Sequence, residues 1–196
     1  MIQEITYQDP ALIFSLFAEQ NGAIFLDSAQ RMENCGRYSF IAIDPFLILC
    51  SQQGRVMLQN KKIVGHPLDV LAKEIAKFTQ KNIPDLPPFQ GGVIGFFSYE
   101  LAWCLEKLPI IKNAMQEFPD FVVGFYDLVI GFDLVLQRAW IFSNGYPEKT
   151  KYARKQRASQ RINWLLQQLL SVPDKLPAVK NFCKEKNIQS NFISQL

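Results

Sequence analysis

An α+β fold with largely antiparallel, β-sandwich-like sheets and helices packed outside is predicted by three observations. Runs rich in Val, Ile and Phe, of strand length, outnumber the segments with helical periodicity. Strands and helices do not alternate regularly, which argues against a doubly wound parallel sheet. Turn residues interrupt the apolar runs at short intervals, at Asp44-Pro45, Gln52-Gln53-Gly54 and Asn60-Lys61, as hairpins require.

Asp9-Pro10 reads as a helix cap followed by a helix-starting proline, and Leu12, Ile13, Leu16 and Phe17 recur at helical spacing, predicting a helix to about Gln20. Asn21-Gly22 ends it, and Ala23 to Leu26 reads as a short buried strand closed by the polar pair Asp27-Ser28. Tyr38–Ile43 and Phe46–Ser51 are two further strands, bent at Asp44-Pro45. Arg55–Gln59 and Lys62–Val64 form a hairpin, and Pro67 opens a helix with Leu68, Leu71, Ile75 and Phe78 on its inner face.

The Pro-rich stretch 83–88 is a connection, and Gly91 to Phe97 is a glycine-studded strand that leads into a short helix from Ser98 to about Leu108. Phe121–Phe132 and Leu134–Phe142 read as one long antiparallel pair turning near Gly131-Phe132-Asp133. Pro147 to about Ser171 is a long helix with an apolar stripe of Ile162, Leu165, Leu166, Leu169 and Leu170. Past Pro173 the chain reads as extended. The expected organisation is one domain over residues 1–175 and an extended connection over 176–196.

Composition bounds the function. With 48% hydrophobic and 20% charged residues and 16 Phe, the 196-residue chain has the makings of an ordinary globular core. A net charge of +3 is too small to argue for nucleic acid, and no run approaches the roughly 18 apolar residues of a membrane helix. Met1-Ile2-Gln3-Glu4 has neither the basic start nor the apolar continuation of a secretory signal, and Cys35, Cys50, Cys104 and Cys183 show no metal-ligand spacing. A cytoplasmic protein with reduced thiols is expected, with no nucleic-acid or membrane partner.

The chemistry-bearing clusters are few. Gly91-Gly92 with Gly95 lacks the spacing of a dinucleotide loop and lies within a strand, so its glycines read as structural. The basic run from Lys149 to Arg157 reads as a solvated helix face, with contact to nucleic acid or an acidic partner as the alternative. His66, before Pro67, reads as a cap or surface residue. Asp27-Ser28 stands at a strand end, where a carboxylate and a hydroxyl can meet the two ends of an amino acid. No nucleophile is surrounded by a catalytic set, so no catalytic residue is expected.

Four segments, taken in order, resemble a known family. Phe25-Leu26-Asp27-Ser28, followed by Gly36-Arg37-Tyr38-Ser39-Phe40-Ile41-Ala42 and Asp44-Pro45, resembles its "L-[E/D/H]-S … GRYSxxG-x-DP" pattern. Leu86 to Leu101 resembles "LPPFxGGxxGxFxYDL", Pro119 to Asp127 resembles "PDxxxGxYD", and Gln189-Ser190-Asn191-Phe192 resembles "SNFS". The family is component I of the aminodeoxychorismate and anthranilate synthases. Pro88 to Gly92 and the short loop before Asp44-Pro45 look more like the aminodeoxychorismate branch, which serves folate synthesis, with the anthranilate branch as the alternative.

The resemblance implies a division of labour. A carboxyl-terminal domain absent from this chain would bind chorismate and Mg²⁺, and a glutamine amidotransferase subunit would supply ammonia. The present residues would hold no cofactor, would be inactive alone, and would supply structure together with part of a tryptophan pocket. Carried over by motif, that pocket would comprise Leu26, Asp27, Ser28, Arg37, Tyr38 and Phe40. Asp27 stands where the anthranilate synthases commonly have Glu, and Trp103-Cys104 stand where basic residues often occur, so these positions depart from the pattern. A stand-alone amino-acid-binding module is the further alternative.

Overall fold

The computed structural model describes residues 1–28, 30, 35–107 and 118–176. In chain order the elements are β1 (Ile2–Ile5), α1 (Pro10–Ser15), β2 (Ile24–Leu26), β3 (Tyr38–Ala42), β4 (Leu47–Gln52), β5 (Arg55–Leu58), β6 (Lys61–Ile63), α2 (Pro67–Ala76), β7 (Gly92–Phe97), α3 (Ala102–Leu105), β8 (Phe121–Tyr126), β9 (Leu128–Asp133), β10 (Arg138–Ser143) and α4 (Lys151–Leu169). The strands form two antiparallel five-stranded sheets, ordered β1-β10-β9-β3-β2 and β6-β5-β4-β8-β7. The expected α+β architecture is observed.

Helices cover one face of each sheet. Ile13 and Phe17 from the α1 region and Ile162 and Leu165 from α4 pack on Ile41, Ile130, Phe132 and Ile141 of the first sheet. Val70 and Leu71 of α2 pack on Leu49, Val56, Val123 and Phe125 of the second. A smaller cluster of Ala42, Tyr126 and Val129, with Phe40, Phe89 and Ile94 beside it, joins the two sheets. Asp9 caps α1 by accepting from the Ala11 amide at 2.7 Å, as its position before Pro10 predicts.

Two expectations about the strands are corrected. The run Phe121–Phe132 is not one strand but two, β8 and β9, which belong to different sheets and part at Asp127. Both strands are buried on both faces, so their apolar periodicity hides the break. Asp127, the one charged residue in the run, marks the place where the chain switches sheets. The turn into β10 lies at 134–137, because the Asp133 carboxylate accepts from the amides of Val135 (3.0 Å) and Leu136 (2.9 Å) and so starts the turn there.

Two helices, α1 and α4, are shorter than periodicity alone predicts. The α1 helix ends at Ser15 and the chain continues as turns to Gln20. Thr150 caps α4, accepting from the Ala153 amide at 3.2 Å, so the helix begins at Lys151 and not at Pro147. Leu170, expected in the apolar stripe, is 80% exposed at the helix end. His66 occupies the N-cap position of α2 without a capping hydrogen bond, its Nε2 lying 3.0 Å from the Cys104 carbonyl.

The expected connection over 176–196 and the Gln189–Phe192 motif lie outside the described residues, Leu176 excepted. No described helix is long and apolar enough to cross a membrane.

Candidate functional site

The strand β2 is an edge strand of three residues, paired with β3 so that Leu26 faces Phe40, Phe25 faces Ile41 and Ile24 faces Ala42. Beyond Leu26 the ladder stops, and side chains continue it. The buried Ser39 hydroxyl accepts from the Ser28 amide at 3.0 Å and donates to Asp27 Oδ1 at 3.2 Å. The Ser28 hydroxyl donates to the Tyr38 carbonyl at 2.6 Å. A serine at a buried strand position needs such partners, and Ser39 finds them in the tip it clips down. Because the single Ser28 hydroxyl proton is engaged, its oxygen faces a ligand as an acceptor. Asp27, exposed beside it, offers further acceptor oxygens. The tip therefore suits a cationic or N–H-bearing group.

An apolar cleft of about 300 Å³ lies against this edge. Ile24 and Leu26 form one wall, and Ile48, Ile94 and Phe96 of the second sheet form the other. It is open to solvent along its length: Leu26, Ile48 and Phe96 are 43%, 41% and 47% exposed. At its inner end Tyr126 donates its hydroxyl to the Gly22 carbonyl at 2.8 Å, and burial pushes that phenol up to about 12, keeping it a neutral donor.

Five of the six residues expected at the site are gathered around the tip of β2 and β3. Of the six, Leu26 alone lines the cleft itself. Tyr38 and Phe40 are neighbouring rings with centroids 6.3 Å apart, and Phe40 meets Phe89 edge-on at 5.8 Å. Arg37 is committed elsewhere: its Nε and Nη2 donate to Asp133 Oδ2 at 2.9 and 2.6 Å, and its guanidinium lies 5.0 Å over the Tyr38 ring. It ties β3 to the β9–β10 turn. Ser39 and Asp133 are the residues missing from the expected site; for Ser39 the signal was polarity at a position that strand alternation turns inward, and for Asp133 it was a carboxylate closing an otherwise apolar buried strand.

Burial pushes the Asp133 carboxyl up, but the hydrogen bonds from Arg37, Leu136 and Val135 and the Arg37 charge hold it below the ordinary carboxylate range. A carboxyl depressed in the folded chain contributes stability above its unfolded value and loses it as pH falls through the folded value. Asp133→Asn is accordingly expected to lower stability by about 1–2 kcal/mol at neutral pH. The difference from the native chain should narrow in acid, which urea titrations at pH 7 and pH 3 would measure.

The remaining motif aspartates also hold the fold. Asp120 accepts from the Ser51 hydroxyl at 2.7 Å and from the amides of Gln53 and Gly54 at 3.2 and 2.9 Å, fixing the β4–β5 turn. Asp44 and Asp127 both meet Arg161 of α4. Part of the basic run is likewise internal: Arg154 and Arg157 donate from Nε to the carbonyls of Asn144 and Tyr146, each at 2.9 Å. Among the described residues no three of His, Cys, Asp and Glu converge as a metal site would require.

Comparison with known proteins places this geometry in a family. The family model for chorismate binding enzymes matches residues 23–191. Anthranilate synthase component 1 of Acetivibrio thermocellus is 29% identical over 142 residues, covering 70% of this chain and 29% of the relative. That of Synechocystis sp. is 28% identical over 194 residues, covering 91% of this chain and 38% of the relative. The crystal structure of anthranilate synthase component I from Streptococcus pneumoniae TIGR4 superposes with a TM-score of 0.59 at 22% identity, over 90% of this chain and 38% of that one, and so shares the fold. The chain thus spans well under half the length of these relatives.

The aminodeoxychorismate branch, expected from Pro88–Gly92 and the loop before Asp44, is corrected: these relatives are anthranilate synthases. The residues behind that expectation serve packing. Phe89 meets Phe40, Gly91 lies against Asn144 and Gln80, and Asp44 meets Arg161, so their identity reports on the fold and not on the product formed. Motifs in order, two sheets in the shared arrangement and a match over nearly all of the sequence lead to one conclusion: the chain belongs to the chorismate binding enzyme family.

Proposed function

We propose that this chain is the amino-terminal, non-catalytic part of an anthranilate synthase component I type protein. It serves as the two-sheet scaffold and as one side of an amino-acid pocket at Leu26, Asp27 and Ser28. The observation that carries this reading is the acceptor-bearing tip of β2 beside an apolar cleft that is open along its length. A tryptophan would set its ammonium against Asp27 and Ser28 and its ring in the cleft, and Tyr38 and Phe40 would support the tip. Arg37 would act through the Asp133 staple and not on the ligand.

The exposed apolar wall of the cleft is the surface a carboxyl-terminal chorismate-binding part would cover. Chorismate, Mg²⁺ and ammonia from a glutamine amidotransferase subunit are assigned to residues other than these. A cytoplasmic setting suits the free Cys35, Cys50 and Cys104.

The test pairs turnover with calorimetry. The purified chain should convert no chorismate in the presence of ammonia and Mg²⁺; steady turnover would sink the non-catalytic reading. Tryptophan should bind when the carboxyl-terminal part of a relative is supplied. Asp27→Asn should weaken that binding about tenfold, the worth of one charge-assisted hydrogen bond. Tryptophan heats that ignore both changes would remove the pocket from this edge.

A further inference from the structure

The first turns of α4 break a local rule. Lys151, Arg154 and Lys155 bring positive charge to the end of the helix where the backbone dipole disfavours it, and no acidic residue stands in the first turn to compensate. Lys151 and Lys155 lie one turn apart, so their charges also repel across one face of the helix. Arg37, Arg138 and Arg161 are each paired with a carboxylate. Lys151, Arg154 and Lys155 enter no ion pair with a described residue. All three line one pocket of about 220 Å³, completed by Met1, Asn144 and Ala158. Among the described residues no carboxylate lines it.

Arg154 is the fixed part of the pocket. Its Nε donates to the Asn144 carbonyl at 2.9 Å, and its guanidinium lies 4.0 Å over the Tyr146 ring. Gly145 permits this, since a Cβ there would fall 2.0 Å from the Arg154 carbonyl oxygen and keep the 144–146 segment away from α4. With one nitrogen and one face engaged, the plane of the guanidinium is held. Its two Nη groups have no hydrogen-bond partner among the described residues and are not enclosed, so a ligand can reach them. A guanidinium fork held in place takes two oxygens of one anion, and the lysines are point charges on flexible stems that can close on the others. A carboxylate offers two oxygens and one charge, which leaves most of the cluster uncompensated. A phosphodiester spends two oxygens on its links and keeps a single charge. A phosphate dianion supplies both the charge and the third oxygen.

We infer that this pocket binds free phosphate or a small phosphomonoester, its oxygens on the Nη groups of Arg154 and on the ammonium groups of Lys151 and Lys155. The site shares no lining residue with the Leu26 cleft and does not depend on the function proposed for it.

Inorganic phosphate is the probe, acetate at the same ionic strength the comparison, and NMR of the intact chain the readout. Phosphate should shift the Arg154 Nε–H signal and the Lys151 and Lys155 amides saturably, and bind about tenfold more tightly than acetate. Lys155→Gln should weaken phosphate about threefold, the worth of one exposed charge contact. Lys149→Gln removes an equal charge from an exposed neighbour that does not line the pocket, and should change the affinity by less. Arg154→Lys keeps the charge and loses the fork, and should cost about tenfold. Absence of saturable shifts overturns the proposal, as does equal affinity for acetate. Equal losses in Lys149→Gln and Lys155→Gln also overturn it, by reducing the effect to the general field of the helix; both residues are exposed, so neither variant threatens the fold. Duplex DNA that moves these signals where phosphate does not would assign the basic face to a polymer and overturn the pocket as well.

Discussion

Arg161→Ala is expected to destabilise the chain by about 3–5 kcal/mol at neutral pH, and by much less in acid. Arg161 is 12% exposed at its side chain and reaches from α4 to two aspartates. Its Nη1 donates to Asp44 Oδ2 at 2.6 Å and its Nη2 to the Asp44 carbonyl at 3.2 Å, holding the left-handed bend between β3 and β4. Its Nε lies 3.1 Å from Asp127 Oδ1, near enough for an ion pair though out of hydrogen-bond alignment. Asp127 is fully buried where the chain crosses between sheets. Burial pushes its carboxyl above the ordinary range, and the charges of Arg161 and Arg157 and the Ser143 hydroxyl only partly offset this. Truncating Arg161 strands the carboxylate without its nearest counter-charge.

The pH dependence follows from the direction of that shift. A carboxyl raised in the folded chain favours folding while protonated, and that contribution is lost as pH rises through the folded value. Removing Arg161 raises Asp127 further, so the deficit of the variant should grow from acid toward neutrality. Urea unfolding followed by Trp164, which lies against Phe17 at 6.2 Å, would measure it. Asp127→Asn in the Arg161→Ala background should recover part of the loss at pH 7 and little at low pH. A deficit that does not change with pH would mean that lost packing of the arginine stem, and not the buried carboxylate, governs the effect.

The same aspartate shows where the sequence was legible and where it was not. Caps and turns were readable because they are local: Asp9 before Pro10, and Asn60 between β5 and β6, act on residues within a few positions. The split of Phe121–Phe132 was hidden because strands buried on both faces carry no alternation to interrupt. At the candidate site, Leu26 to Ser28 could be placed at a strand end from polarity alone. The clip through Ser39 and the diversion of Arg37 to Asp133 could not, since both depend on register between β3 and segments 11 to 96 residues away. A motif shows that Arg37 is present; only the fold shows that its charge is spent on a turn. The aminodeoxychorismate expectation failed for a related reason, because it was read from residues whose work is packing.

Gly95→Ala is the second substitution with a large expected effect, about 2–3 kcal/mol with loss of order along β7. Gly95 pairs with Val123 in the β7–β8 ladder. A Cβ on it would fall 2.0 Å from the Val122 carbonyl oxygen and 2.6 Å from Val123 Cα. All of these obstacles are backbone, so no side chain can turn aside to make room. Among the described residues β7 is the edge strand of its sheet, so it should relieve the clash by peeling from β8. That movement displaces Ile94 and Phe96, one wall of the apolar cleft. Hydrogen exchange should therefore show faster amides in β7 with β9 and β10 unchanged, and tryptophan binding should weaken along with the strand. Gly54→Ala is the control. Its Cβ would meet nothing within 4 Å, and only its left-handed backbone, φ +70°, opposes the change, at about 1 kcal/mol. Equal losses in the two variants would show that chain entropy and backbone strain, and not the close approach of β7 to β8, set the requirement for glycine at position 95.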